Sequence, residues 1–119
     1  GIDIATGRTL TAVWRNAIVD AHPDTSEPVT GVMVPHWDTM LELAARSPEL
    51  TELGYQGIDI VLDRELGPVM LELNARPGLN IQIANRDGLG NRLEAVRDAA
   101  PGLKTVEARI AFAKERFAV

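Results

Sequence analysis

Two runs of strict alternation, Gly57-Ile-Asp-Ile-Val-Leu-Asp63 and Gly67-Pro-Val-Met-Leu-Glu-Leu-Asn74, constrain this chain more than any other feature. Successive side chains of an extended strand point to opposite faces. Ile58, Ile60 and Leu62 therefore share one face of the first run, with Asp59, Val61 and Asp63 on the other. In the second run Val69, Leu71 and Leu73 share a face, and Met70, Glu72 and Asn74 lie opposite. The short connection from Asp63 to Pro68 predicts a β-hairpin with one apolar face. If both apolar sets face the same core, Leu62 stands opposite Val69, Ile60 opposite Leu71 and Ile58 opposite Leu73. That register sets Asp59 directly across from Glu72. Carboxylates opposed across an antiparallel pair repel, an arrangement a sheet normally avoids.

Asn74, two residues past Glu72, adds an amide oxygen to the same face. Two carboxylates and an amide oxygen form a hard, all-oxygen set, which suits Mg²⁺ or Mn²⁺ and not zinc, since no Cys or His joins them. The competing reading is a solvated sheet face that happens to be acidic, because most carboxylates are exposed. The residues alone leave these two readings in even contest.

The rest of the chain predicts an α+β domain, an antiparallel sheet packed with helices, with residues 1–119 as a single unit. Ile2–Ala5 and Leu10–Trp14 read as short strands joined at Thr6-Gly7, residues 15–28 as a loop, and Val29–Val34 as another strand. Met40, Leu41, Leu43 and Ala44 fall at helical spacing and predict a helix over 37–46. Ser47-Pro48 reads as an N-cap with proline at the first helical position of a second short helix ending near Gly54. Ala75-Arg76-Pro77-Gly78 breaks the second strand. Short helices follow over 81–86 and 90–99, and a terminal helix over 105–117.

Composition excludes more than it assigns. With no cysteine, the 119 residues hold no disulfide, thiolate metal site or cysteine nucleophile. A net charge of −5 and the lack of a basic stripe argue against nucleic acid as a partner. No stretch approaches a membrane span, so no membrane partner is expected and the cytoplasm is the expected location. The chain opens at Gly1 and runs almost at once into strand-like residues, and so reads as a piece of something longer.

Gly57–Asp63 followed by Gly67–Gly78 resembles the metal-binding end of the ATP-grasp superfamily, where a similar Asp, then Glu-x-Asn, then Pro-Gly pattern occurs. The nearest likeness is to the α-L-glutamate ligase-like group. Ile4–Gly7, His22–Thr25, Val34–Trp37, Gly54-Tyr55 and Leu79–Asn85 resemble that group as well, so the likeness covers nearly the whole chain. It implies a C-terminal portion of an ATP-grasp fold and an ATP-dependent carboxylate–amine ligase. In such a reaction a carboxylate is phosphorylated to an acyl phosphate, and an amine displaces the phosphate.

By the resemblance, Asp59 and Glu72 hold one Mg²⁺ and Glu72 and Asn74 a second, with ATP as co-substrate. Arg76 lies at the site edge and pairs with substrate carboxylate or phosphate, although related ligases often carry serine there. Gly78 offers a backbone N–H to an oxyanion, or simply forms the turn. His22 and Asp24 fall near the acceptor substrate, or hydrogen-bond locally as loop residues usually do. Asn80, Gln82 and Asn85 line a polar pocket, or Asn80 acts as an N-cap. His36 and Trp37 read as anchors of a helix start. The nucleotide-clamping part of the fold is missing: the only lysines are Lys104 and Lys114, both late, and no Gly-rich phosphate loop appears. The chain alone is therefore expected to be catalytically inert. The alternative is a non-catalytic divalent-metal or protein-binding module built on the same fold.

Overall fold

The computed structural model describes residues 1–119, the side chain of Asn80 alone lying outside the described residues. Strands β1 (Ala12–Trp14) and β2 (Ala17–Val19) form one antiparallel hairpin, and β3 (Gly57–Asp63) and β4 (Gly67–Asn74) another. Helices α1 (Trp37–Arg46) and α2 (Pro48–Thr51) lie between them in sequence. After β4 come α3 (Gln82–Asn85), α4 (Leu89–Ala99) and α5 (Val106–Phe117). The fold is α+β, as expected.

Helix α1 spans the residues its apolar spacing predicts, and it packs against α5 and touches β4. The contact is tied by Arg109 of α5, whose Nη1 donates to the Ala45 carbonyl at 2.7 Å. Thr105 caps α5, its Oγ1 accepting from the Ala108 N–H at 3.1 Å. Trp37 anchors the start of α1 by donating its indole N–H to the Ile4 carbonyl at 2.9 Å. The ring lies so close to Gly7 that a Cβ there would sit 2.6 Å from it, and Gly7 also has φ +76°. Glycine is required at that position on both counts.

Ser47 joins the helices to the acidic hairpin. It is 1% exposed, donates through Oγ to the Ala44 carbonyl at 2.8 Å, and accepts from the Gln56 side-chain amide just ahead of β3. Gln56 Oε1 in turn accepts from Thr51 Oγ1 at 2.8 Å. Ser47 stands at the N-cap position of α2 with Pro48 at the first helical position, as expected, but its backbone is helical (φ −56°, ψ −32°) and its hydroxyl turns back to α1, so its side chain makes no capping bond. Glu52, at φ 57°, then stops α2 two residues short of Gly54.

The first 34 residues differ most from expectation. Of the expected strand Ile2–Ala5 only Ile2 is paired, in a single antiparallel bridge to Thr9, and residues 4–6 form a tight turn. The Asp3 carboxylate accepts from the Ala5 N–H and the Thr6 hydroxyl, and the Asp3 carbonyl accepts from Gly7 N at 2.8 Å. A local side-chain acceptor thus captures backbone that β-propensity would have extended. Residues 15–28, expected as a loop, contain β2 and a bridge between Ala21 and Pro28. Val29–Val34 forms no named strand. It is fastened to residues 7–9 by Thr9 N to Val32 O (2.9 Å) and Val34 N to Gly7 O (2.9 Å), with Gly31 at φ +79° bending it.

The core is thin. Val106 is the one buried apolar residue among those described, and Asp3 and Ser47 are the buried polar ones. The accessible surface is 8358 Å², against about 6,300 Å² for a compact monomer of this length. Exposed apolar residues include Val61, Leu62, Leu66 and Leu71 on the second hairpin, and Leu50, Leu53, Leu93 and Val96 among the helices. Apolar surface on this scale marks a contact face.

Candidate functional site

Hairpin β3–β4 is built as the alternation requires at the end that matters. Ile58 pairs with Leu73, Asp59 with Glu72, and Gly57 with Asn74. Both carboxylates are exposed and Asn74 is half-buried. Among the described residues neither Asp59 nor Glu72 forms an ion pair, and no third Asp, Glu, His or Cys joins them in a cluster. Two facing carboxylates without a counter-charge repel across the ladder, and a cation between them removes that cost.

Past Asp59 the register slips. Ile60 faces Met70, Val61 faces Val69, and Leu62 faces Pro68, each one residue off the expected pairing. Leu71 is the extra residue of a β-bulge and stands 65% exposed, whereas simple alternation places it on the apolar face. A bulge next to a functional pair increases the local twist and re-aims the neighbouring side chains. At the far end Asp63 Oδ1 accepts from the Glu65 and Leu66 N–H groups at 2.8 and 2.9 Å. These bonds hold the Asp63 carboxyl below its ordinary range, Leu66 contributing most.

Glycine at position 57 lets the loop after β4 fold back over the hairpin. A Cβ there would lie 2.6 Å from Cβ of Pro77 and 3.6 Å from Cβ of Asn74. Pro77 is therefore seated on the pair Gly57–Asn74, and Arg76 and Gly78 flank it. Both are exposed. Gly78 has neither a positive φ nor any atom within 4 Å of a would-be Cβ. The turn-forming role offered for it is not what demands glycine.

The other sequence candidates go elsewhere. His22 and Asp24 border a hollow of about 210 Å³ against β1–β2, whose lining includes none of Asp59, Glu72 and Asn74. His22 Nδ1 accepts from the Asp24 backbone N–H at 3.3 Å. Gln82 is engaged by Asn85, whose Nδ2 donates to Gln82 Oε1 at 3.0 Å. The expectation for Asn80 lies outside the described residues. A larger hollow, about 660 Å³, is bordered by Asn85, one of the three residues expected to line a polar pocket, and by Arg15 and Asn16, which the sequence reading passed over. The available signal was Trp14-Arg15-Asn16 between two short β-prone runs, a two-residue turn without its usual glycine.

The model of the sugar-transfer associated ATP-grasp family matches residues 1–98, which include the whole acidic hairpin and the loop after it. This chain belongs to that family. Membership makes it an ATP-grasp protein, of the ATP-dependent ligase or transferase kind, and bears out the superfamily likeness of the hairpin motif. No curated protein and no solved structure matches the chain. Of the elements described, α5 alone lies wholly outside the matched residues of this ATP-grasp chain. Among the described residues no helix is long and apolar enough to cross a membrane.

Proposed function

We propose that this ATP-grasp chain carries the metal- and phosphate-facing end of a carboxylate–amine ligase, with glutamate as the first amino acid to test. The observation that carries the reading is Asp59 set across from Glu72, with Asn74 beside them and no protein cation on either carboxylate. The donor set fits a hard divalent ion with open positions. Asp59 and Glu72 would hold one Mg²⁺ (or Mn²⁺), and Glu72 and Asn74 a second. When bound, such ions neutralise charge on the phosphates of ATP.

The chain's own residues have three tasks in this scheme. Asp59, Glu72 and Asn74 would hold the divalent ions at the end of the hairpin, and those ions would supply the positive charge that draws the ATP phosphates there. Arg76, free and exposed beside Asn74, takes the substrate carboxylate or the transferred phosphate. Gly78, whose glycine neither backbone strain nor packing explains, leaves its N–H open to the oxyanion formed when the amine attacks. The amine nitrogen bonds to the acyl carbon, phosphate leaves with the bonding pair, and the amine loses a proton. His22, Asp24, Asn80 and Gln82 belong to the proposal as contacts to the organic substrates.

The nucleotide clamp is not assembled from these residues. Lys114 is held by Asp38 at 2.7 Å, and Lys104 is exposed beyond the matched region. The large accessible surface supports completion of the site by further structure over the exposed apolar faces. The chain alone is proposed to be inert, and its cytoplasmic location is part of the same proposal.

The test is ADP release by the full-length protein with Mg²⁺-ATP, with and without glutamate, beside Glu72→Ala. Glutamate-stimulated release that disappears in the variant is the expected result. No ADP with any amino acid, together with Mn²⁺ binding that Glu72→Ala abolishes, would replace the ligase with a non-catalytic metal-binding module.

A further inference from the structure

We infer that the cavity of about 660 Å³ between the β1–β2 turn and the segment around α3 is a binding site for a small apolar carboxylic acid, an amino acid with an aliphatic side chain, free or N-acylated. Its size falls within the range of small-molecule pockets. Ile2, Val13, Ile81 and Ala84 give it apolar walls. Trp37 adds apolar surface and no free donor, because its indole N–H is already given to the Ile4 carbonyl.

Charge selects the ligand class. Acidic residues outnumber basic ones by 17 to 12 along the chain, yet no carboxylate side chain borders this cavity, and Arg15 is its one charged side chain. Arg15 is held for use. Its guanidinium lies 4.4 Å over the Trp14 ring, and its backbone is fixed at φ 47° beside Asn16 at φ 64°. A guanidinium stacked on one face keeps its N–H edge for a planar, two-oxygen partner, which is the geometry of a carboxylate.

A second polar group sets the rest of the ligand. Asn85 borders the cavity and donates one of its two amide hydrogens to Gln82, and its carbonyl oxygen, which that bond does not use, is the acceptor this inference assigns to the N–H of an amine or amide. A cation edge, one acceptor and an aliphatic floor describe an apolar amino acid. They do not describe a sugar, which needs many hydroxyl partners, or a nucleotide, which needs several positive charges. Binding rests on the cavity itself. That the bound acid is one of the organic substrates of the ligase rests on the proposed function.

The test is calorimetric titration of the full-length protein, without ATP or Mg²⁺, with leucine, N-acetyl-leucine and N-acetyl-leucinamide. Saturable binding is expected for one or both acids, the stronger of the two identifying the free or the acylated form. The uncharged amide should bind at least about tenfold more weakly. Arg15→Asn, which suits a left-handed turn residue, should weaken the acids by about tenfold, leave the amide unchanged and leave the melting temperature unaltered. Amide and acid binding equally, an unaltered acid affinity in Arg15→Asn, or no saturable heat with any probe would each overturn the inference. The amide comparison uses wild-type protein and so does not depend on the variant folding. Because ATP and metal are absent, a flat titration leaves the ADP-release result standing, and a failed ligase assay leaves the cavity standing.

Discussion

Hairpin β1–β2 has three residues per strand around Arg15-Asn16, whereas β3–β4 has seven and eight around a loop tied by Asp63. The short one places an arginine at its tip beside a cavity. The long one places two carboxylates across from each other on an exposed face. Two-stranded ribbons are marginal by themselves, and each is supported from outside. Trp37 fastens the N-terminal turn, and the Ser47–Gln56 bond fastens the start of β3. The difference teaches where strain is kept. In β3–β4 it is electrostatic, in the Asp59–Glu72 pair. In β1–β2 it is conformational, in two successive non-glycine residues at positive φ.

The sharpest way to break the comparison is Glu72→Ala. Relief of the repulsion should leave stability unchanged or raise it by roughly 0.5 kcal/mol, while ADP release falls on the order of 10²–10³-fold. Thermal melting and the ADP assay measure the two sides, and a variant that merely unfolds would show both falling together. Next in size is Gly57→Val, which touches neither carboxylate. Its new side chain must displace Pro77, so the loop carrying Arg76 and Gly78 shifts. A misplacement of about 1 Å costs roughly 10²-fold in rate, and the expected signature is lost ADP release with Mn²⁺ affinity retained.

Stability effects come after these. Ser47→Ala removes the bond to Ala44 and orphans the Gln56 amide in a buried setting, at a cost of about 1–3 kcal/mol. Hydrogen exchange should rise at the start of β3 and not in β1–β2. Asn16→Val forces a β-branched residue into the left-handed region, costing about 1–2 kcal/mol, whereas Asn16→Gly should be neutral or stabilising because glycine suits that turn position. Denaturant midpoints of the two variants decide it.

The smallest effect is acid sensitivity. Backbone N–H groups of Leu66 and Glu65 lower the Asp63 carboxyl from its ordinary 3.8, so its contribution is complete above that value and fades as pH falls through the lower folded-state one. Asp3 behaves likewise in the N-terminal turn, where the Thr6 hydroxyl is the leading cause. Melting curves taken across that acid range should show Asp63→Asn losing part of the pH dependence and Asp3 supplying another part.

Legibility followed the range of the physics. The alternation around 57–63 and 67–74 is local, so the hairpin and its acidic pair could be read from the residues, while its apolar face holds only at the Ile58–Leu73 end. Helix α1 was readable for the same reason, its apolar spacing repeating within ten residues. The slip at Leu71 was not, because a bulge keeps the alternating letters and changes only the backbone that pairs them. Strand β2 was hidden by its turn, where Arg15 adopts a conformation that sequence patterns reserve for Gly, Asn or Asp. The turn at Asp3 was hidden by two flanking isoleucines whose β-propensity lost to a carboxylate bonding its own backbone.

By itself the sequence determined that Asp59 faces Glu72, that no thiol chemistry is present, and that the motif is of ATP-grasp kind. Periodicity and residue type carry the first two without any long-range contact, and the third rests on the resemblance of the motif to a known superfamily. Tertiary structure decided that Pro77 closes onto Gly57, that the Ser47 hydroxyl ties α1 to Gln56 instead of capping α2, and that residues 1, 2, 13, 15, 16, 37, 81, 84 and 85 border one open cavity. These depend on which distant segments meet and on backbone angles that several residue types can adopt, and neither is written in the spacing of apolar and polar residues along the chain.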